Sequence, residues 1–95
     1  MAVLDVLGRR WVLRILWELR SPATSFRDLQ SRCGGMSSSV LAERLTDLRD
    51  MGVVHDLPEE GGYGLTDQGH QLLEIMLPLD DWANRWDRRQ RKDNK

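Results

Sequence analysis

The first strongly apolar segment, residues 9–20, predicts a helix that is hydrophobic on two sides. Good helix formers, without glycine or proline, run up to a stop at Ser21-Pro22. Most of its apolar residues form one stripe along the helix, and Leu13 and Trp17 form a second stripe on nearly the opposite side. Because a small domain can cover only one of these sides, we expect a second subunit on the other. The larger stripe consists of Trp11, Val12, Ile15, Leu16 and Leu19.

The middle of the chain predicts two helices joined by a tight turn. Ser25-Phe26-Arg27-Asp28 is a capping-box pattern that opens a short helix to about Arg32. Cys33-Gly34-Gly35 ends this helix, since glycine adopts the left-handed conformation at least cost. Ser37 caps the next helix, about residues 38–51. Helix, glycine-containing turn, helix is the helix-turn-helix arrangement.

A β-hairpin and a long helix are predicted to follow. Residues 53–57 form a strand, 58–62 a turn and 63–65 a return strand, which is a wing placed directly after a helix-turn-helix. Thr66 caps a last helix that runs to about Trp86 or beyond. The predicted fold class is therefore mainly α with a small β-hairpin, a winged helix-turn-helix. We expect one domain over residues 1–87 and a basic, frayed tail over residues 88–95.

The length of the chain and its single cysteine limit the ways in which the fold can be stabilised. A 95-residue chain buries a modest fraction of its surface and often depends on a disulfide, a metal or a partner subunit. Cys33 stands alone, and with His55 and His70 it does not give a zinc site at ligand spacing. We therefore expect no metal and no cofactor, and an oligomer as the remaining route.

The distribution of charge bears on the binding partners, and the pattern of apolar residues bears on the cellular compartment. The net charge of −1 does not suggest a nucleic-acid protein, but arginines cluster at residues 9–20 and in the tail. The tail is either a solvated helix end or an arm that contacts phosphates. Because the start has no signal-peptide pattern and no apolar run approaches 20 residues, we expect a cytoplasmic protein without membrane contact.

The sequence does not favour an enzyme. Ser37-Ser38-Ser39 at a helix start indicates capping rather than a nucleophile, because no histidine lies at a motif spacing. Cys33 lies at a helix C-terminus and lacks the N-terminal position that lowers a thiol pKa. A role for Cys33 as an oxidant or electrophile sensor stays open as the minor alternative.

Four stretches, in this order and spacing, resemble the HxlR-type winged helix-turn-helix transcriptional regulators of bacteria. Residues 7–16 resemble the family's opening Gly-x-[Lys/Arg]-Trp helix, and residues 26–29 its second helix. Residues 37–48 with 51–54 are similar to its recognition helix and strand entry. Residues 63–69 match the end of its wing, and Trp82 its late tryptophan.

The resemblance implies a homodimer formed by the first and last helices, with the third helix in the major groove of double-stranded DNA. Three features depart from the family. Ser39 and Thr46 stand where members often carry basic residues, the wing tip is Glu59-Glu60, and no cysteine precedes the first helix. The expected interface residues are Val3, Leu4, Leu7, Leu13, Trp17, Leu79, Trp82 and Trp86.

A helical wheel of the third helix gives the candidate DNA contacts. Hydroxyls can meet bases or phosphates, Ala42 can meet a thymine methyl group, and Glu43 can accept from cytosine. The alternative is a solvated face, and for Arg44 it is an ion pair that positions the helix. The candidates are Ser38, Ser39, Ala42, Glu43, Arg44, Thr46 and Arg49, with Arg27 on the second helix reaching the flanking backbone.

Together these patterns favour a dimeric, sequence-specific DNA-binding transcriptional regulator that is not an enzyme. The alternative is a winged-helix module for protein interaction or ligand sensing with weak or lost DNA binding, suggested by the acidic wing tip. A pocket among Trp11, Trp17, Trp82 and Trp86 could hold a small aromatic effector.

Overall fold

The computed structural model describes residues 2–21 and 24–93, and it describes side chains from residue 5 to residue 91 within those ranges. The helices are α1 (Ala2–Leu7), α2 (Val12–Glu18), α3 (Phe26–Cys33), α4 (Ser38–Asp50) and α5 (Asp67–Asp93). The strands β1 (Val54–Leu57) and β2 (Gly62–Leu65) form an antiparallel hairpin. This confirms a mainly α fold with a small hairpin. Among the helices of these two ranges, none combines the length with the hydrophobicity that a membrane span requires.

The caps that the sequence predicts for α3 and α4 are confirmed. The Ser25 hydroxyl accepts from the Asp28 amide at 3.1 Å, and the Ser37 hydroxyl accepts from the Val40 amide at 3.2 Å. Each of these hydroxyls satisfies one of the amides that a helix start leaves without an internal partner. Gly34 and Gly35, both at positive φ, then turn the chain from α3 to α4.

Helix α2 is shorter than the predicted segment 9–20, because residues 9–11 form a turn. Trp11 precedes the helix in the left-handed region, with φ of 80°. That conformation is costly for a residue with a side chain, so surrounding contacts must hold it. One such contact is visible: the Arg44 side chain donates to the Arg10 carbonyl at 3.0 Å.

The core lies between α2 and the helix-turn-helix. Four of the five residues of the predicted stripe are almost completely buried, whereas its first member, Trp11, is half-buried. On the other side, Leu13 is half-buried and Trp17 is 38% exposed. One side of α2 is thus covered within the chain, and the side that carries Trp17 is not. The innermost core residues are Val12, Ile15, Leu16, Leu19, Leu29, Leu41, Leu45 and Leu48.

The two strands of the hairpin are paired from base to tip, and a backbone bridge fixes the hairpin to the rest of the domain. Val54 pairs with Leu65 at its base and Leu57 with Gly62 near its tip. Thr24 adds a short antiparallel bridge to Tyr63, in which each amide donates to the other residue's carbonyl, at 3.2 and 2.9 Å. The wing is therefore fixed to the segment that precedes α3.

Helix α5 begins where predicted and, as expected, runs beyond Trp86. The Thr66 hydroxyl accepts from the Gly69 amide at 3.1 Å, so it caps the helix. The helix continues to Asp93, and the frayed tail expected over residues 88–95 stays a prediction. The Asp87–Arg91 ion pair of 3.0 Å, at the i,i+4 spacing, supports this last segment.

The apolar residues of α5 divide between two faces. Leu73 and Met76 are buried in the core, while a second row points away from it. The second, solvent-exposed row consists of Ile75, Leu79, Trp82 and Trp86.

Candidate nucleic-acid interface and dimer surface

Helix α4 presents its predicted outer residues to solvent. Its inner face is fixed by Leu41, Leu45 and Leu48, all buried. The opposite face is polar and begins at the N-terminus of the helix, where backbone amides favour phosphate oxygens. The exposed residues on this face are Ser38, Ser39, Ala42, Glu43, Thr46 and Arg49.

Two hydroxyls on this face have intramolecular partners. The Thr46 hydroxyl donates to the Ala42 carbonyl at 2.9 Å, and Ser39 lies 3.4 Å from the Ser37 hydroxyl. Thr46 in this arrangement offers its oxygen lone pairs outward, so it suits a partner that donates, such as the amino group of adenine or cytosine.

Arg49 connects α4 to the wing. Its guanidinium donates to both carboxylate oxygens of Asp56 on β1, at 2.9 and 3.1 Å. Both side chains are nearly half exposed. Contact with a phosphate or a base would therefore compete with Asp56 for this arginine.

Arg44 has the position expected of its alternative role. Its side chain is 16% exposed, donates to the Arg10 carbonyl, and lies 3.3 Å from Glu43 and 3.8 Å from Asp47. Asp47 also pairs with Arg9. These contacts favour an arginine that positions α4 against the turn at residues 9–11. Contact between Arg44 and phosphate stays a prediction.

Arg27 is exposed in the first turn of α3. Within the described ranges, no carboxylate lies within 4.0 Å of its guanidinium. It is thus available to an external anion such as a backbone phosphate.

The predicted interface residues whose side chains the structure describes are half-buried or exposed. Leu7 and Leu13 are half-buried, while Val3 and Leu4 lie outside the described side chains. The Trp82 and Trp86 rings stack with centroids 6.5 Å apart. Ile75, which is 72% exposed, extends the same row and was not among the predicted interface residues. The exposed members are Trp17, Leu79, Trp82 and Trp86, at 38–61% exposure.

Comparison with known proteins places these features in a family. A family model described as HxlR-like helix-turn-helix matches residues 6–91. The chain belongs to this family.

Relatives of the HxlR-like chain are named as regulators of transcription. It is 33% identical to the uncharacterized HTH-type transcriptional regulator YvaP of Bacillus subtilis, over 86% of this chain and 81% of YvaP. It is similar to a possible HxlR family transcriptional factor from Thermoplasma volcanium, with a TM-score of 0.82, 31% identity, and coverage of 90% and 82% of the two chains. It is also similar to the quinone-bound structure of YodB from Bacillus subtilis, with a TM-score of 0.78, 26% identity, and coverage of 87% and 91%.

These findings confirm the winged helix-turn-helix fold and the family. The protein is a helix-turn-helix transcriptional regulator of the HxlR family, a family of regulators rather than enzymes.

The lone thiol of this HxlR-family chain is protected. Cys33 is 5% exposed at the end of α3. Burial raises the pKa of the Cys33 thiol, an effect that the positive charge of Arg14 partly offsets. A thiol in this state is a weak nucleophile, because the thiolate is the reactive form. The environment therefore favours a structural role for Cys33 over an oxidant sensor.

Proposed function

We propose that this regulator binds double-stranded DNA as a homodimer, with α4 of each protomer in the major groove. The observation that carries the proposal is the outward face of α4, which is polar, exposed and held rigid by a fully buried inner face. An α-helix fits the major groove, where base edges present distinct hydrogen-bonding patterns.

The chemistry of the face suggests how bases and phosphates are contacted. Ser38 and Ser39, in the first turn of α4, suit a phosphate or a base edge, and Ala42 suits a thymine methyl group. Glu43 suits the amino group of cytosine, and Thr46 offers its lone pairs to another donor. Arg27 on α3 suits the flanking phosphates.

The second protomer is supported by the exposed apolar row of α5. Leu79, Trp82 and Trp86 are each at least half exposed, and Trp17 lies on the side of α2 that the chain leaves uncovered. Large exposed apolar side chains in one row are typical of an interaction surface. Two-fold pairing of these helices would present two copies of α4 to successive major-groove segments.

A duplex selection with the purified protein tests DNA binding directly. Random-sequence duplexes are enriched at moderate salt, and affinity for the enriched duplex is then measured by fluorescence anisotropy. Ser39→Asp should weaken binding by about 10-fold or more, because it places a negative charge against base edges or phosphates. The same charge favours a helix N-terminus, so the fold should be retained.

The matched control is Gln71→Glu, which adds the same charge at an exposed position on α5. It should leave duplex affinity within about twofold, since a screened surface charge away from the contact contributes little. If no duplex is enriched, the chain is instead a winged-helix module for protein interaction. The acidic Glu59-Glu60 wing tip is the feature that favours this second candidate.

A small effector is the remaining part of the proposal. The structure of a relative, YodB, is described as quinone-bound. In the present chain, partly exposed indole rings at Trp11 and Trp17 offer apolar surfaces to an aromatic compound. Such a compound would regulate DNA binding by differing in its affinity for two arrangements of the dimer.

A further inference from the structure

The second half of α5 extends beyond the core of the domain. Met76 is the last buried side chain of the helix among those that the structure describes, and every side chain from residue 77 to residue 91 is half-buried or exposed. At a rise of 1.5 Å per residue, about 22 Å of helix follows Met76 up to residue 91. Because this segment carries exposed indole rings, it is stable as a helix only if a partner covers its apolar side.

The exposed apolar row of α5 has the spacing of a short coiled-coil seam. Its members follow one another in alternating steps of three and four residues, which is the pattern in which the a and d positions of a heptad face another helix. The half-buried Leu72 begins the series, so the row spans two heptads. A helix of another chain therefore fits this row. The series is Leu72, Ile75, Leu79, Trp82 and Trp86.

The two ends of this seam carry opposite charges. Asp67 and Glu74 lie at the start of α5, whereas Arg85 and Arg89, one helical turn apart, lie on either side of Trp86 in the basic end, residues 85–91. The four charged side chains are exposed, and over residues 5–91, as far as side chains are described, none of them lies within 4.0 Å of an opposite charge. Two parallel copies of α5 would place like charges side by side, whereas two antiparallel copies would place acidic starts against basic ends. Charges beside a seam set the orientation of its helices, so they favour the antiparallel pair.

The midpoint of α5 gives the register of such a pair. The helix runs from residue 67 to residue 93, so an antiparallel pair that overlaps over its whole length is centred near residue 80. This register places Ile75 opposite the partner's Trp86, and Leu79 opposite the partner's Trp82. A shift of the pair by one heptad in either direction would place an indole ring or Ile75 opposite a polar side chain. The apolar pattern and the length of the helix thus agree on one register.

We propose that the basic end of α5 binds the start of the partner's α5 in an antiparallel pair, and that it does not serve as an arm for DNA phosphates. Glu74 then lies between the partner's Arg85 and the partner's Arg89, and the alkyl stem of that second arginine covers Leu72. Phosphates would neutralise the arginines but would leave the indole rings of the same segment in water. The inference rests on the dimer of the proposed function and specifies its orientation and register.

Disulfide cross-linking measures the orientation and register without DNA. The double variant Ile75→Cys/Trp86→Cys should form a covalent dimer on mild oxidation, because a disulfide requires Cα atoms within about 7 Å. Each single variant should stay non-covalent, since like positions then lie about 16 Å apart along the helices. A second pair, Leu72→Cys/Arg89→Cys, keeps both indole rings of the seam and should give the same pattern. The wild type is the control, and its Cys33 is only 5% exposed.

Charge reversal tests the contact between the two ends by sedimentation. Glu74→Arg should raise the dissociation constant of the dimer about fivefold or more, because it places like charges together at two symmetric sites. The double variant Glu74→Arg/Arg85→Glu restores opposite charges in an antiparallel pair, so it should dimerise at least about threefold more tightly than Glu74→Arg alone. Glu74→Arg/Arg88→Glu is the matched control with the same net charge. Arg88 lies on the side of α5 away from the row, so this control should recover nothing.

Three results would overturn the proposal and leave the proposed function intact, provided that the wild type sediments as a dimer and binds its duplex. Cross-linking of the single cysteine variants would indicate a parallel pair. Absence of cross-linking in both double variants would show that the two ends do not meet. A weaker duplex affinity of Arg85→Glu with an unchanged dimer would assign the basic end to phosphates. A wild type that sediments as a monomer would instead remove the dimer on which both proposals rest.

Discussion

Gly69 provides a sharp test of how the wing is joined to α5. It lies in the first turn of the helix, where Ala would ordinarily stabilise by about 1 kcal/mol. Here a Cβ atom would lie 2.1 Å from the Val53 carbonyl oxygen and 3.2 Å from the Leu65 Cβ. The first neighbour is backbone, so the helix itself must move.

The movement would weaken two hydrogen bonds at the same junction. The Thr66 amide donates to the Val53 carbonyl at 3.1 Å, and the Thr66 hydroxyl donates to the Gly52 carbonyl at 2.6 Å. Overpacking costs about 1–3 kcal/mol and each lost hydrogen bond about 1 kcal/mol. After the gain in helix propensity, we expect Gly69→Ala to lower the free energy of unfolding by about 2–4 kcal/mol.

Urea unfolding at one fixed protein concentration measures this effect. A loss of that size corresponds to a fall in Tm of roughly 10–30 °C for a domain of this length. Gln71→Ala, an exposed position two residues along the same helix, is the control and should change stability by less than about 0.5 kcal/mol. A Gly69→Ala protein as stable as the wild type would refute the close approach of α5 to residue 53.

Three further predictions concern binding and charge. If Asp56 competes with DNA for Arg49, Asp56→Asn should raise duplex affinity about threefold more than the control variant Asp50→Asn does in anisotropy titrations. Adding Arg49→Gln to each variant should abolish that difference. An equal gain from both variants would show that the change in net charge alone raises the affinity. Because burial raises the pKa of the Cys33 thiol, the unfolded chain loses the thiol proton before the folded chain does as pH rises. The thiol's contribution to the free energy of unfolding is therefore present below its ordinary pKa and should be lost as pH rises toward the pKa of the folded state. Cys33→Ala should flatten this alkaline decline when stability is measured by urea unfolding. Since α4 presents few free cations, the logarithm of duplex affinity should fall with the logarithm of salt concentration with a slope shallower than about −8, and a steeper slope would contradict the assigned contacts.

Local signals made much of the fold predictable. The caps at Ser25, Ser37 and Thr66 are hydroxyl-to-amide contacts within three residues, so their pattern is written in neighbouring positions. The hairpin followed from turn residues between two short apolar runs. These elements needed no knowledge of distant parts of the chain.

Long-range contacts decided what the sequence could not show. The left-handed Trp11 is held beside an Arg10 carbonyl that bonds to Arg44, which is 34 residues away. The pairing of Arg49 with Asp56 depends on how the hairpin folds back against α4. Which apolar residues of α5 enter the core likewise depends on its packing against α2, and periodicity along one helix does not contain that information.

Sedimentation velocity of the purified protein at micromolar concentration tests the central claim most directly. Protomers paired through the exposed row of α5 should give a sedimentation coefficient that corresponds to twice the mass of one chain. The Trp82→Glu variant should sediment as a folded monomer, and it should bind duplex more weakly than the wild type. A wild-type chain that remains a stable, well-folded single copy, with its tryptophan row still exposed, would contradict the dimer and the paired placement of α4 on DNA.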